Sequence, residues 1–128
     1  KWVELENAST ITAKKLLSPK DFEGYEAAGT VESNLIRKYW NEGVKIPKWE
    51  ITLFCVSPAA QGKGVGGMLF SYMLNFLKEQ GAKHCFLATD DDCDISFYQH
   101  KGLVCKDEAP VKANGQDFGF AYIYAGDL

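Results

Sequence analysis

A glycine-rich segment in the middle of the chain has the residue types that bind phosphate. Residues 61–67 contain four glycines and Lys63, and they lie between an apolar run and a helical pattern. Glycine inside a helix costs roughly 1 kcal/mol relative to alanine, so several glycines at a helix start indicate close approach to the backbone. Amide groups at a helix N-terminus bind anions, and the lysine adds a positive charge. We expect a phosphate-bearing cofactor; a glycine-rich connection that only lets helix and sheet approach is the alternative.

Two other phosphate-binding motifs fit this segment poorly. The Walker pattern needs Gly, Lys and Ser or Thr in succession, and that order does not occur here. The dinucleotide fingerprint G-x-G-x-x-G is present in letters at Gly62, Gly64 and Gly67. In the dinucleotide fold the glycines follow the strand directly, whereas here residues 58–61 separate the apolar run from the first glycine. The rest of the chain is also too short for a double Rossmann sheet.

Periodicity predicts the elements that position this segment. Residues 51–56 form an apolar, β-branched run that is typical of a central strand buried on both faces. The next apolar positions recur at helical spacing and predict a helix of roughly 15 residues that ends at Gly81. These positions are Val65, Met68, Leu69, Tyr72, Met73, Phe76 and Leu77. Residues 85–88 predict a second strand, parallel to the first because a helix connects them.

The C-terminal part of the sequence predicts a short helix and a hairpin. Asp94 is a suitable cap for a helix that carries Tyr98 and ends at Gly102. Residues 103–106 and 118–124 predict two further strands. The pair Asn114 and Gly115 between them favours an antiparallel hairpin turn.

The first 48 residues are less periodic. Residues 2–5 suggest a short strand, and residues 7–12 are rich in turn-compatible side chains. Ser18 followed by Pro19 predicts the start of a helix. Residues 31–40 predict a second helix that ends at residues 41–43, before a loop at Pro47.

Length, charge and cysteine content exclude several classes of protein. A chain of 128 residues forms one compact domain, and its net charge of -3 and pI near 5.4 argue against a nucleic-acid partner. No apolar run reaches the length of a membrane span and no signal peptide is recognisable, so we expect no membrane partner and a cytoplasmic location. The four cysteines lack a C-x-x-C pair and there are only two histidines, so we expect reduced thiols and no metal.

Two segments together resemble the GNAT superfamily of N-acetyltransferases. Gln61, Gly64 and Gly66 match its Q/R-x-x-G-x-G/A signature, whose loop amides hold the pyrophosphate of acetyl-CoA. Residues 97–103 resemble its second signature, an aromatic residue and a tyrosine on a short helix followed by Lys, Gly and an apolar residue. The resemblance covers residues 50 to about 106.

The resemblance implies a fold and a division of the chain. We expect an α/β (α+β) fold with a mixed central sheet flanked by helices, as a single domain over residues 1–128. Residues 49–128 are the expected acetyl-CoA-binding core. Residues 1–48 are an acceptor-side region that is truncated or divergent, because the family places more elements there than 48 residues hold.

The resemblance also implies roles for individual residues. Tyr98 is the candidate acid that protonates the departing thiolate, with a buried aromatic packing role as the alternative. Glu50 is the candidate base, acting through a water, although a glutamate at a strand start is more often a solvated edge charge. Water or an aspartate of the run Asp90, Asp91, Asp92 and Asp94 is another candidate base. The expected cofactor-binding residues are Cys55, Val56, Gln61, Gly62, Lys63, Gly64, Val65, Gly66, Gly67 and Lys101.

Two functions follow from the resemblance. The first is an N-acetyltransferase that moves an acetyl group from acetyl-CoA to a primary amine, of a small molecule or a peptide, by direct attack in a ternary complex. The second is a catalytically silent acyl-CoA-binding module of the same fold. A ping-pong mechanism through Cys55 is less favoured, because an apolar strand should bury that thiol and raise its pKa. A homodimer is left open.

Overall fold

The structure, a computed structural model, describes residues 2–42 and 47–128, with side chains at 8–42 and 47–128. The helices are α1 (Trp2–Leu16), α2 (Pro19–Asn41), α3 (Val65–Glu79) and α4 (Ile95–His100), and Pro58–Ala60 forms a short 3-10 turn. The strands are β1 (Lys48–Glu50), β2 (His84–Asp90), β3 (Val104–Ala113) and β4 (Gln116–Asp127).

The four strands form one mixed sheet in the order β1-β2-β4-β3. Strand β1 pairs with β2 in parallel, and β4 pairs antiparallel with both β2 and β3. The predicted mixed sheet and the C-terminal hairpin are therefore confirmed. A parallel pair is also present, but its first strand lies at residues 48–50 and not at the predicted residues 51–56. Asn114 and Gly115 form the hairpin turn with φ of 50° and 75°, the left-handed conformation that this residue pair accepts readily.

Helices cover both faces of the sheet, and side chains of β2 alternate between the two layers. Cys85 and Leu87 point to the face that α3 and α4 cover, where Phe70 and Leu77 are buried. Phe86 points to the opposite face. That second layer is built from α2 and the hairpin, and its buried members include Leu35, Tyr39, Val111 and Ile123. The predicted helices on the sheet are thus found on both sides.

The prediction of a central strand at residues 51–56 is wrong. Strand β1 ends at Glu50 and lies at the edge of the sheet that the structure describes. After the hydrogen bond from the Ile51 amide to the Phe86 carbonyl (2.8 Å), the segment has no regular structure. Leu53 is 80% exposed. An apolar run indicates a buried strand only where neighbours cover it, and here the segment diverges from β2.

Helix α3 has the predicted extent, but only part of the predicted apolar stripe packs on the sheet. Phe70 and Leu77 are buried, with Met73 and Leu74 partly buried beside them. Met68, Leu69, Tyr72 and Phe76 of the predicted stripe are exposed, Tyr72 by 72%. The helix is apolar on more than one side, so periodicity alone could not tell which side faces the sheet. Gly81 terminates the turn after it with φ of 83°, as predicted.

The N-terminal region is helical throughout its described part, which corrects two expectations. Residues 2–12 belong to α1 rather than to a strand and a turn. Ser18 caps α2 as predicted, since its hydroxyl accepts a hydrogen bond from the Asp21 amide at 3.2 Å, and Pro19 follows at the first helical position. The two predicted helices are one, because Gly24 and Gly29 continue the helix instead of breaking it. The helix ends at Asn41, and the predicted loop at residues 43–46 lies outside the described residues.

Within residues 2–42 and 47–128, we find no helix that has both the length and the apolar character to cross a membrane.

Candidate active site

A cleft of about 680 Å³ opens where residues 54–56 separate from β2. Its walls are that segment, the glycine-rich loop, the acidic turn after β2, and helix α4. Eight predicted site residues line it, namely Cys55, Val56, Gln61, Gly62, Gly64, Gly66, Gly67 and Tyr98. The sequence did not single out Phe54 or Cys93, which also line the cleft.

The glycine-rich loop presents the N-terminus of α3 to this cleft. Gly64 is the residue before the helix, has a φ of 77°, and provides no side-chain cap. The first helical hydrogen bond runs from the Met68 amide to the Gly64 carbonyl at 3.1 Å. The preceding amides of the first turn therefore have no partner within the helix and carry the positive end of its dipole. This is an anion-binding arrangement built from backbone.

Gln61 and Gly66 hold the loop against the cleft wall. The Gln61 Nε2 donates to the Val56 carbonyl at 2.9 Å, which ties the loop to the diverging segment. A β-carbon on Gly66 would lie 3.4 Å from the Val56 Cγ2, so the helix start and the cleft wall are in van der Waals range. Any larger side chain there would extend from this contact into the cleft.

The two predicted cofactor-binding lysines bond to the protein itself. The Lys63 Nζ donates to the Ala59 carbonyl at 2.8 Å. The Lys101 Nζ donates to the Gly67 carbonyl and to the Ser71 Oγ, both at 3.0 Å. Neither lysine lines the cleft, and nor does Val65. Lys101 joins the end of α4 to the beginning of α3, which makes it a support of the cleft in this structure.

Helix α4 places Tyr98 at the cleft. Asp94 begins the helix as predicted, because its carboxylate accepts hydrogen bonds from the Phe97 amide (3.3 Å) and the Ser96 hydroxyl (2.6 Å). The Ser96 hydroxyl, followed by the Phe97 amide, lowers the pKa of Asp94. Burial raises the pKa of the Tyr98 phenol, and the nearby Cys93 adds to that increase. Tyr98 is therefore a neutral hydroxyl donor at ordinary pH.

An aromatic cluster fixes α4 against α3 and the cleft wall. The Phe54 and Phe97 rings stack with centroids 5.6 Å apart, and Phe70 meets Phe54 edge-on at 5.1 Å. Tyr98 packs beside Phe70 at 5.9 Å. Phe54 belongs to the apolar run at residues 51–56. A strand prediction for that run could not reveal its contact with α4, which lies more than forty residues later in the chain.

Glu50 lies on the other face of the sheet from Tyr98. Its Oε2 accepts a hydrogen bond from the Trp40 Nε1 at 3.3 Å, and Trp40 packs edge-on against Phe86 in the α2 layer. Glu50 is not among the residues that line the cleft. The structure therefore does not bring the two predicted catalytic side chains together in the cleft.

The acidic run after β2 has both structural and surface positions. Asp91 accepts hydrogen bonds from the Tyr122 hydroxyl (2.6 Å) and the Phe120 amide (2.8 Å), and this contact raises the pKa of Tyr122 to about 12. The Asp90 carboxylate accepts from the Asp92 amide at 3.0 Å. Asp92 and Asp94 line the cleft.

A second cavity of about 780 Å³ lies on the α2 side, and Asp90 contributes to its wall together with Glu32 and Arg37. Burial raises the pKa of Glu32, and the charge of Asp90 adds to the effect. A carboxyl group with a raised pKa is a better proton acceptor than an ordinary one once it is ionised.

The four cysteines are free thiols, as predicted. The expectation that Cys55 is buried is wrong, because the segment carrying it leaves the sheet and exposes it in the cleft. Cys85 is buried, and burial raises its pKa to about 11. No cluster of His, Cys, Asp or Glu suited to a metal ion occurs within the described ranges.

Comparison with solved structures identifies the class of fold. A GNAT family acetyltransferase from Elizabethkingia anophelis with acetyl-CoA bound is 18% identical, and the match covers 81% of this chain and 90% of that one with a TM-score of 0.54. An IAA acetyltransferase from Bacillus cereus ATCC 14579 is 19% identical, covering 67% and 65% of the two chains, with a TM-score of 0.54. Ard1 from Thermoplasma volcanium is 25% identical, covering 63% and 55%, also at 0.54.

The family follows from a direct match. The model of the Acetyltransferase (GNAT) family matches residues 6–103, and this chain belongs to that family. The chain spans less than two thirds of the Bacillus cereus and Thermoplasma volcanium proteins. No match was found among curated proteins.

Proposed function

We propose that this protein binds acetyl-CoA in the cleft and transfers its acetyl group to a primary amine. The observation that carries the proposal is the uncapped, glycine-rich N-terminus of α3, which faces the same cleft as the Tyr98 phenol. The first feature would bind the phosphates of the cofactor, and the second would donate a proton. The family to which the chain belongs supports the same activity.

The residues present fit the cofactor. The backbone amides at the start of α3 would hold the pyrophosphate, and Gln61 would keep the loop in place through its bond to Val56. Cys55 and Val56 would border the pantetheine chain on the diverging segment. Lys63 and Lys101 would support the loop through the carbonyls that they already bond. Bound acetyl-CoA would supply an activated acetyl group on a thiol leaving group.

Tyr98 would act as the proton donor for that leaving group. Its raised pKa keeps the phenol protonated, so donation depends on position and on the greater basicity of the departing sulfur in the transition state. The aromatic packing of α4 holds the phenol at the cleft and limits its movement. This positioning contributes by proximity, since the donor is already in place when the bond breaks.

The acceptor side is proposed to lie toward α2. Glu50 lies on that face, across the sheet from the Tyr98 phenol, so it would take the amine proton only through intervening water. Asp90, in the wall of the α2-side cavity with Glu32, is the other candidate base. An amine is cationic in water, so these carboxylates favour its approach. The proposed acceptor is a primary amine, carried either by a small molecule or by a peptide.

Calorimetry and an acetylation assay test this proposal. The protein is titrated with acetyl-CoA, and transfer to a panel of small amines and peptides with free amino groups is then followed by mass spectrometry. We expect saturable binding and acetylation of at least one acceptor. Binding without transfer to any amine would favour the silent acyl-CoA-binding module, and absence of binding would refute the cofactor site.

A further inference from the structure

Thr89 carries a buried hydroxyl that has no role in the proposed function. Its side chain is 4% exposed, and its Oγ1 has no hydrogen-bond partner among the residues that the structure describes. A buried hydroxyl without a partner costs stability, because it loses water and gains nothing in return. Native proteins rarely leave a buried polar group without a hydrogen bond, so such a group is a candidate for a functional role.

The position of Thr89 on β2 places its side chain on the face of the sheet against which Tyr98 packs. Cys85, Leu87 and Thr89 alternate along the strand and so share the face covered by α3 and α4. Tyr98 packs against the cluster that contains Cys85 and Leu87. Thr89 is the last of these three residues, at the strand end next to the cleft where Tyr98 lies.

The electrostatics of the phenol agree with this placement. Burial, Cys93, Asp90 and Asp94 all raise the pKa of Tyr98, whereas the Thr89 hydroxyl acts in the opposite direction and lowers it. A hydroxyl lowers a phenol pKa by donating to the phenolate oxygen. The Thr89 hydroxyl is thus one of the groups that act on the Tyr98 phenol, although the two oxygens do not meet the geometry of a hydrogen bond in this structure.

We propose that Thr89 is a positioning residue for Tyr98, whose Oγ1 hydroxyl donates a hydrogen bond to the Tyr98 Oη when the cleft is filled. This inference rests on the proposed function. In that reaction the amine nitrogen would bond to the acetyl carbon and lose a proton to water or a carboxylate. The carbon–sulfur bond would break with its electron pair left on sulfur, and Tyr98 would give its phenol proton to that sulfur. The phenolate oxygen then accepts the Thr89 hydrogen bond until solvent returns a proton to it.

The test compares Thr89→Val, which removes only the hydroxyl, with Thr89→Ser, which keeps it and removes a methyl group. We expect Thr89→Val to melt at or above the wild-type temperature, because it deletes an unpaired buried polar group, yet to lose about tenfold in kcat with unchanged acetyl-CoA affinity. Thr89→Ser should melt lower than wild type but keep its kcat. Thr12→Val, on the exposed surface of α1, is the control for the substitution itself.

A double variant separates action through Tyr98 from any other effect. In a Tyr98→Phe background, Thr89→Val should cause no further loss of kcat, because the phenol oxygen it supports is gone. A full additional loss, a wild-type kcat in Thr89→Val, or a clearly lowered melting temperature in that variant would each overturn the inference while leaving the proposed function intact. A wild-type protein that binds acetyl-CoA but acetylates no amine would instead overturn the proposed function and this inference together.

Discussion

Tyr98 is the side chain whose replacement tests the proposed chemistry most directly. Tyr98→Phe keeps the ring that packs against Phe70 and removes only the hydroxyl. We expect kcat to fall by about 10² or more, within the range of general acid catalysis, with unchanged acetyl-CoA affinity and melting temperature. Steady-state kinetics with calorimetry measures both. A loss of affinity without a loss of kcat would show that Tyr98 serves cofactor packing.

The raised pKa of Tyr98 predicts how kcat depends on pH. Burial holds the pKa of Tyr98 above its ordinary value of 10.0, so the protonated donor persists to higher pH than a free phenol would. The Tyr98 hydroxyl is therefore available throughout the neutral and mildly alkaline range, and it is lost only as the pH rises through the raised pKa. A kcat profile that fell through loss of this proton below pH 10 would contradict the assignment.

At the scale of the element, the N-terminus of α3 is the feature to alter. Gly64 is a poor choice, because its φ of 77° is strained for any residue with a β-carbon, so a substitution would destabilise the loop even without a cofactor. Gly66 lies inside the helix, and a methyl group there meets Val56 at an ordinary contact distance of 3.4 Å. Alanine occurs at this position of the GNAT signature, so a bulkier side chain is needed for the test. We expect Gly66→Val to weaken acetyl-CoA at least tenfold, because its branched side chain would obstruct the backbone amides that would hold the pyrophosphate.

Gly29→Val is the matched control for this change. Gly29 is also helical and lies on the exposed face of α2, where a β-carbon would have no neighbour within 4 Å. It should leave acetyl-CoA affinity unchanged. Equal affinities for the two valine variants in calorimetry would remove the α3 N-terminus from the cofactor site.

The Asp94 cap of α4 should stabilise the fold at neutral pH and lose that effect in acid. Asp94→Ala removes the acceptor for the Phe97 amide and the Ser96 hydroxyl, so the melting temperature at neutral pH should fall. Because the folded protein lowers the pKa of Asp94, the stabilisation is complete above the ordinary value of 3.8 and is lost as the pH falls through the lowered pKa.

Denaturation of the wild type and Asp94→Ala across the acid range measures this dependence. The difference between them should be largest near neutral pH and shrink below pH 3.8. Asp92→Ala is the control, since Asp92 bonds in this turn through its backbone amide, which the substitution keeps. A difference that stayed constant with pH would show that the Asp94 carboxylate does not stabilise the helix start.

At the scale of the whole molecule, Gly24 controls how α2 lies on the sheet. A β-carbon at Gly24 would come within 2.6 Å of the Phe118 ring on β4, so the helix or the ring would have to move. We expect Gly24→Ala to destabilise the fold by about 1–3 kcal/mol, as overpacking usually does. Gly29→Ala, further along the same helix, is the control and should not destabilise. Equal stability of both variants in chemical denaturation would mean that α2 does not pack on β4 in this way.

Features that depend on a few neighbouring residues could be predicted from the sequence. The Ser18 and Asp94 caps, the stop at Gly81 and the turn at Asn114 and Gly115 each depend on a side chain and the backbone within a few residues of it. The glycine-rich loop is also local, since its amides and its helix follow one another in the chain. The predicted strands and helices of the C-terminal part were confirmed for this reason.

Only the tertiary structure decided what depends on residues distant in the chain. Whether residues 51–56 form a buried strand depends on what covers them, and the packing face of α3 depends on which side meets the sheet. Glu50 and Tyr98 lie in different layers because strand pairing, not spacing, assigns each side chain to a face of the sheet. Thr89 follows the predicted strand at residues 85–88 and carries no signal in the sequence. Its unpartnered hydroxyl, on the face of β2 against which Tyr98 packs, results from burial between elements that the chain brings together only on folding.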